Sequence, residues 1–195
     1  IDVNPFKYDL DKAKELLKQA GYANGFSTEI YHGGVSQATA DEEKEMCTWI
    51  QAEFKKIGVN MEIKTLAPGP FREIAAGKKF GEGKCPMTVM GYTPYVPDAS
   101  YDTNVQLKTG GFINGYSCYY SNPEVDALIE QTFYEVDTQK RNALFEKIQR
   151  ITVVEDVPQI LIAQLMHIQP MGKNVKGHVQ YRDLNPRFFH YWKED

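Results

Sequence analysis

The sequence predicts a layered α/β domain, with helices flanking a mixed β-sheet. Two observations carry that expectation. Over the first ninety residues, stretches of period-two alternation take turns with stretches of helical period. Further on, two helix starts follow each other closely, and a short apolar run comes after them.

Asp9 can cap a first helix, in which Leu10, Ala13, Leu16, Leu17 and Ala20 share a face and Gly21 supplies the stop. Phe26, Thr28 and Ile30 then alternate with polar residues, as in a half-buried strand. His32-Gly33-Gly34 turns the chain, and Thr39 with Glu42 has the spacing of a capping box. The helix that follows carries Met46, Trp49, Ile50, Glu53 and Ile57 on its predicted buried stripe, ending at Gly58. Val59–Lys64 is a second period-two strand, and a short helix with Phe71, Ile74 and Ala75 is expected after Pro70. Met87–Met90 reads as an interior strand. Residues 91–122 are rich in Gly, Pro, Asn, Ser and Tyr and show no period, so a long irregular segment is expected there.

Order resumes at Asn122-Pro123, where proline fits the first turn of a helix. Val125, Leu128, Ile129 and Phe133 form its predicted stripe. Asp137 caps the next helix, with Leu144, Ile148 and Ile151 inside and Arg141, Lys147 and Arg150 outside. Ile160–Ala163 is expected as another interior strand.

Composition excludes several functions. In 195 residues, 42% are hydrophobic and 25% charged, which is the balance of a folded domain. Lys and Arg number 22 against 26 Asp and Glu, a net charge of −4. No positive field draws in a phosphate backbone, so no nucleic-acid partner is expected. The longest uncharged stretch, Val157–Gly172, is broken by prolines, glutamines and His167, unlike a bilayer span. The chain opens on Ile1-Asp2-Val3, without Met or a signal peptide, as expected of a processed chain or a fragment.

Catalytic signatures do not emerge. No nucleophile elbow, zinc-protease helix or dinucleotide loop occurs, and Gly81-Glu82-Gly83-Lys84 precedes a strand where a phosphate loop would open a helix. Cys47, Cys85 and Cys118 have neither a disulfide framework nor zinc spacing. His32, His167, His178 and His190 lie far apart. Among them His32, after a strand and beside glycines, has the best placement for function. Asp98 and Asp102 lack a nucleophile or an apolar wall to split their pKa values. The expectation is therefore no enzyme, no cofactor and no metal. Aromatic residues give the stronger signal: Tyr92, Tyr95, Tyr101, Phe112, Tyr116, Tyr119 and Tyr120 crowd the irregular segment. Tyrosine there offers a stacking face and a hydroxyl with few rotors to freeze, which suits ligand recognition.

Five segments together resemble one family. Tyr8-Asp9 through Leu16-Leu17, Ala20-Gly21-Tyr22 and Gly25-Phe26 match its first motif, with Leu10 where the pattern has Pro. Ile50-Gln51, Phe54 and Ile57-Gly58-Val59 match a helix–strand junction. Tyr116 with Tyr120 through Asp126, Arg141 through Pro158, and Lys173 through Gly177 match three more. The resemblance is to the extracellular solute-binding proteins, family 5, of peptide/nickel-type ABC importers. It implies a lobe of the type II periplasmic-binding-protein fold. Family members are more than twice this length and close two lobes over a ligand.

The chain is then expected to be a C-terminal lobe fragment. Residues 1–166 would be the ligand-binding lobe, and residues 167–195 a hinge crossover and tail returning to an N-terminal lobe. The implied function is capture of a small solute (a peptide, an oligosaccharide or similar) for delivery to a membrane permease, outside the membrane and anchored to it. The alternative is the ligand-sensing domain of a cytoplasmic transcriptional regulator.

Peptide-binding relatives carry a Trp and an Asp in the loop after the central strand. Here Tyr92 and Tyr95 occupy those positions, leaving Asp98 as the nearest carboxylate for a ligand ammonium. The resemblance implies Tyr92, Tyr95, Asp98, Asn114 and Tyr116 as the ligand-binding residues. A neutral or aromatic ligand, an oligosaccharide or a modified peptide fits this loop better than a free peptide N-terminus.

Overall fold

The structure is a computed structural model and describes residues 6–33, 40–76, 85–92, 96–163, 170–179, 181 and 187–194. Helix α1 (Leu10–Gln19) starts where Asp9 accepts a hydrogen bond from the Lys12 N–H at 2.8 Å, and ends at Gly21, φ 89°. Strand β1 (Phe26–His32) leads through α2 (Ala40–Lys55) to β2 (Val59–Thr65). The two strands pair in parallel, from Phe26 opposite Val59 to His32 opposite Thr65. A parallel pair needs a long crossover, and α2 is that crossover. Gly25 and Gly58 stand just before the paired runs, and a Cβ on Gly25 would lie 1.9 Å from the Gly58 carbonyl oxygen. Only glycine allows the two chains to enter the sheet this close together.

After α3 (Pro68–Ala76), the chain reaches β1 on its other side. The Tyr31 N–H donates to the Met87 carbonyl and the Val89 N–H to the Tyr31 carbonyl, both at 2.9 Å, a one-residue parallel bridge at Thr88. The interior strand expected at 87–90 is thus reduced to this bridge, although Val89 is buried. Among the described residues the central sheet is wholly parallel. The antiparallel pair, β3 (Val175–Lys176) with β4 (Trp192–Lys193), forms a separate small sheet.

The segment expected to be irregular contains two helices, α4 (Ala99–Gln106) and α5 (Asn114–Ser117). Neither has an apolar period to betray it. Capping and side-chain ties set α4 instead. Helix α6 (Pro123–Tyr134) begins at the Asn122 cap, and α7 (Thr138–Arg150) at the Asp137 cap, as expected. A π-helical turn over Ile151–Glu155 extends α7.

Three clusters form the core. Ile30, Cys47, Ile50, Met61 and Val89 lie between α2 and the sheet. Val125, Leu128, Ile129, Ile148 and Ile151 join α6 to α7, and Phe71, Ala75 and Ile113 join α3 to α5. Each large side chain so buried stabilises the fold by roughly 1.5–3 kcal/mol relative to exposure.

Five expectations are corrected. On α2 the buried face is Glu43, Cys47 and Ile50, while Trp49 is 57% exposed. An apolar stripe does not show Glu43, whose Oε1 accepts a hydrogen bond from the Gly91 N–H at 3.1 Å. On α6, Thr132 takes the core position and Phe133 is half exposed. The spacing 125, 128, 129, 132 holds one face, and the Thr132 hydroxyl is satisfied by the Ile129 carbonyl at 2.7 Å. Arg141 points inward, as described below. Ile160–Ala163 forms no strand: Ile160 and Leu161 are 73% and 72% exposed, with no strand beside them among the described residues. The helix expected after Pro70 begins two residues sooner, at Pro68. The Thr39 end of the capping box and the Gly81–Lys84 loop lie outside the described residues.

Candidate ligand-binding site

Parallel sheets bind ligands beyond the carboxyl ends of their strands. Here that end gathers His32 on β1, Thr65 on β2, and Gly91 and Tyr92 after the Thr88 bridge. His32 is 1% exposed and shares a 2.7 Å hydrogen bond between its Nε2 and the Thr65 hydroxyl. Its Nδ1 has no hydrogen-bond partner among the described residues. Gly33 follows because a Cβ there would come within 2.4 Å of the Leu66 carbonyl oxygen.

Tyr92 is half-buried against the cluster of Phe71, Ala75 and Ile113, and its hydroxyl donates to Asp102 on α4 at 2.6 Å. One tyrosine therefore ties the strand end to α4, and through Ile113 to α5. The Thr88 hydroxyl adds a 3.4 Å hydrogen bond to the Ser117 carbonyl at the end of α5.

Asp98 sits at the start of α4. Its Oδ1 accepts the Ser100 N–H at 2.8 Å, capping the helix, and both its oxygens meet Arg141 Nη2, at 2.8 and 2.9 Å. Arg141 also donates to the Ser100 hydroxyl at 2.7 Å and, through Nε, to the Thr132 carbonyl at 3.0 Å. The Arg141 guanidinium holds the Asp98 carboxyl below the usual aspartate range, helped by the Ser100 amide. This arginine, absent from the sequence-based site, is what fastens α4 to α6 and α7. The available signal was its place at the head of the Arg141–Pro158 motif.

Asn114 is wholly buried at the first position of α5. Its Nδ2 donates to the carbonyls of Lys108, at 2.8 Å, and Tyr120, at 2.7 Å, while its Oδ1 accepts the Tyr120 N–H at 2.7 Å. The amide thus cross-links both ends of the 107–120 excursion. Tyr116 lies on the same short helix, next to Ser117, whose carbonyl meets Thr88. Its side chain and the whole of Tyr95 lie outside the described residues.

Tyr92, at the carboxyl end of the sheet, is thus tied to α4, which Asp98 caps, and packs with Ile113, which precedes Asn114 on α5. The chemistry of the site is aromatic and hydrogen-bonding. Among the described residues no three His, Cys, Asp or Glu side chains gather as a metal site, and all three cysteines are free. No described helix is long and apolar enough to cross a membrane.

Comparison with known proteins bears on this geometry. The chain is 28% identical over 179 residues to the heme-binding protein A of Haemophilus influenzae, covering 92% of this chain and 32% of that protein. It is 30% identical over 180 residues to the dipeptide-binding protein of Escherichia coli, covering 91% and 32%. The solved structure of HbpA2 from Haemophilus parasuis superposes with a TM-score of 0.79 at 26% identity, covering 98% of this chain and 37% of that one. The chain therefore spans about a third of the length of these relatives, and its fold is that of type II periplasmic binding proteins. A sequence profile described as bacterial extracellular solute-binding proteins, family 5 Middle, matches residues 1–114, the stretch that builds the central sheet, α4 and the entry to α5. With sheet, loop and profile in agreement over more than half its length, the chain belongs to the bacterial extracellular solute-binding proteins, family 5.

Proposed function

We propose that this chain is part of the substrate-binding component of an ABC importer, and that it contributes one face of a cleft closing over a small solute. Family membership carries this reading. The aromatic assembly at the carboxyl end of the sheet supports it, because that is where a ligand finds both stacking faces and strand-end backbone. Tyr92, Tyr95 and Tyr116 are assigned to ligand contact. Asp98 and Asn114 serve the site by fixing α4 and α5, since their polar atoms are already engaged within the chain. Residues 1–166 act as the lobe. Residues 167–195 act as the crossover and tail, in keeping with the separate β3–β4 sheet and with Phe188, Phe189 and Trp192 exposed beside it. The partners are the second lobe, held on the outer face of the membrane with this one, and the permease that receives the solute.

The ligand class is a peptide or a similar small solute, in line with relatives named for dipeptide and heme binding. With Asp98 committed to Arg141, the loop offers no spare aspartate there for a free ammonium. A blocked, aromatic or neutral solute is the better fit. Native mass spectrometry of the protein isolated from its own cells tests this. A discrete added mass, lost in Tyr92→Ala, is the expected result. A protein that stays empty against peptides, sugars and heme alike, or one that turns a substrate over, would overturn it.

A further inference from the structure

Among the described residues other than glycine, two hold a left-handed backbone: Tyr119, at φ 51°, and Val157, at φ 46°. For a β-branched residue this is a true outlier, because its Cβ substituents crowd the adjoining carbonyl. Pro158 sharpens the conflict, since a residue before proline is driven towards extended backbone. Strain of this kind persists only where the surroundings over-determine it.

The surroundings are explicit. The Tyr120 hydroxyl and Asn122 Nδ2, the latter at 2.8 Å, both donate to Oδ2 of Asp156, the residue before Val157. On the other side, the Asp156 N–H closes the π-helical turn onto the Ile151 carbonyl at 2.8 Å. π-Turns are rare and costly departures from α-helix. Two irregularities of backbone thus meet at one carboxylate, which is gripped from across the fold by residues 120 and 122. Beyond them runs the exposed apolar stretch Ile160–Ile162.

We propose that Tyr120, Asn122 and Asp156 form a latch that holds Val157 in its strained conformation and so sets the direction in which the chain leaves α7. With the latch open, Val157 relaxes to extended backbone, the conformation Pro158 favours. The stiff Pro158 then carries residues 158–163 to a new course. The device has two discrete states, and the hydrogen bonds to Asp156 choose between them. It stands independently of any ligand.

A double-mutant cycle on the 195-residue chain tests it, combined with the carbonyl-to-carbonyl three-bond coupling that reports φ of Val157 by NMR. In the parent chain Val157→Gly removes the strain, and is expected to raise the folding equilibrium constant by roughly fivefold or more. In a Tyr120→Phe background the strain is already released, so Val157→Gly gives no gain. The coupling at Val157 switches from a positive to a negative φ in Tyr120→Phe, while the resonances of Val125–Thr132 and Leu144–Ile148 stay in place. Asp156→Ala, at an exposed position, supplies the same arm should Tyr120→Phe fail to fold. Either an equal effect of Val157→Gly in both backgrounds or a positive φ retained with the latch removed overturns the proposal.

Discussion

Asn114 illustrates how much of this loop rests on single polar side chains. Its amide replaces a stretch of regular secondary structure, satisfying the Tyr120 carbonyl and N–H and adding a second donor to the Lys108 carbonyl, which also accepts the Gly111 N–H. Asn114→Ala should cost on the order of 2–3 kcal/mol in urea unfolding, because the orphaned backbone groups add to the lost bonds. The Asp98–Arg141 pair works differently, since both side chains keep about a third or more of their surface exposed and water screens them. The folded Asp98 carboxyl titrates below its ordinary value of 3.8, chiefly through the Arg141 hydrogen bond. Its stabilisation is therefore fully present above that value, and is lost as pH falls from there through the lower folded value. Asp98→Asn keeps an oxygen for the helix cap and removes the charge. It should cost no more than about 1 kcal/mol at neutral pH, and should flatten that acid limb of the stability profile.

At the scale of elements, position within a helix outweighs residue size. Ile129 and Phe133 lie four apart on α6, yet one is buried and the other half exposed. Ile129→Ala should destabilise by about 2–5 kcal/mol, and Phe133→Ala by no more than about 1 kcal/mol, measured by denaturant midpoints at constant m. Capping was legible in the sequence because Asp9, Asn122 and Asp137 act through atoms only two or three residues away. Period was legible where one face meets one neighbour, as in β1 and β2. What escaped was set by distant partners: Glu43 reaching Gly91, Arg141 reaching Asp98, and α4, whose eight residues show no apolar stripe. The candidate site divides in the same way. Its aromatic character is written in residues 91–122, but the engagement of Asp98 and Asn114 within the chain needed residues 141 and 120 to be seen beside them.

For the whole molecule, an exposed apolar surface is the governing fact. Ile160, Leu161, Phe188, Phe189 and Trp192 are more than half exposed, on a chain that spans about a third of its relatives' length. Ile160→Asp with Leu161→Asp should leave stability within about 0.5 kcal/mol while sharply reducing binding of an apolar dye. The sheet has a consequence of another kind, in the order of folding. His32 finds its partner at Thr65, and Tyr31 waits until Thr88 for its other neighbour. Until a full crossover has followed it, β1 lacks both of these neighbours. The α6–α7 hairpin closes over a far shorter span, and local contacts form fastest. Slow pairing of non-local parallel strands, with bare edges in the interval, makes the β1–β2 unit the part of this chain on which a chaperone has most to do.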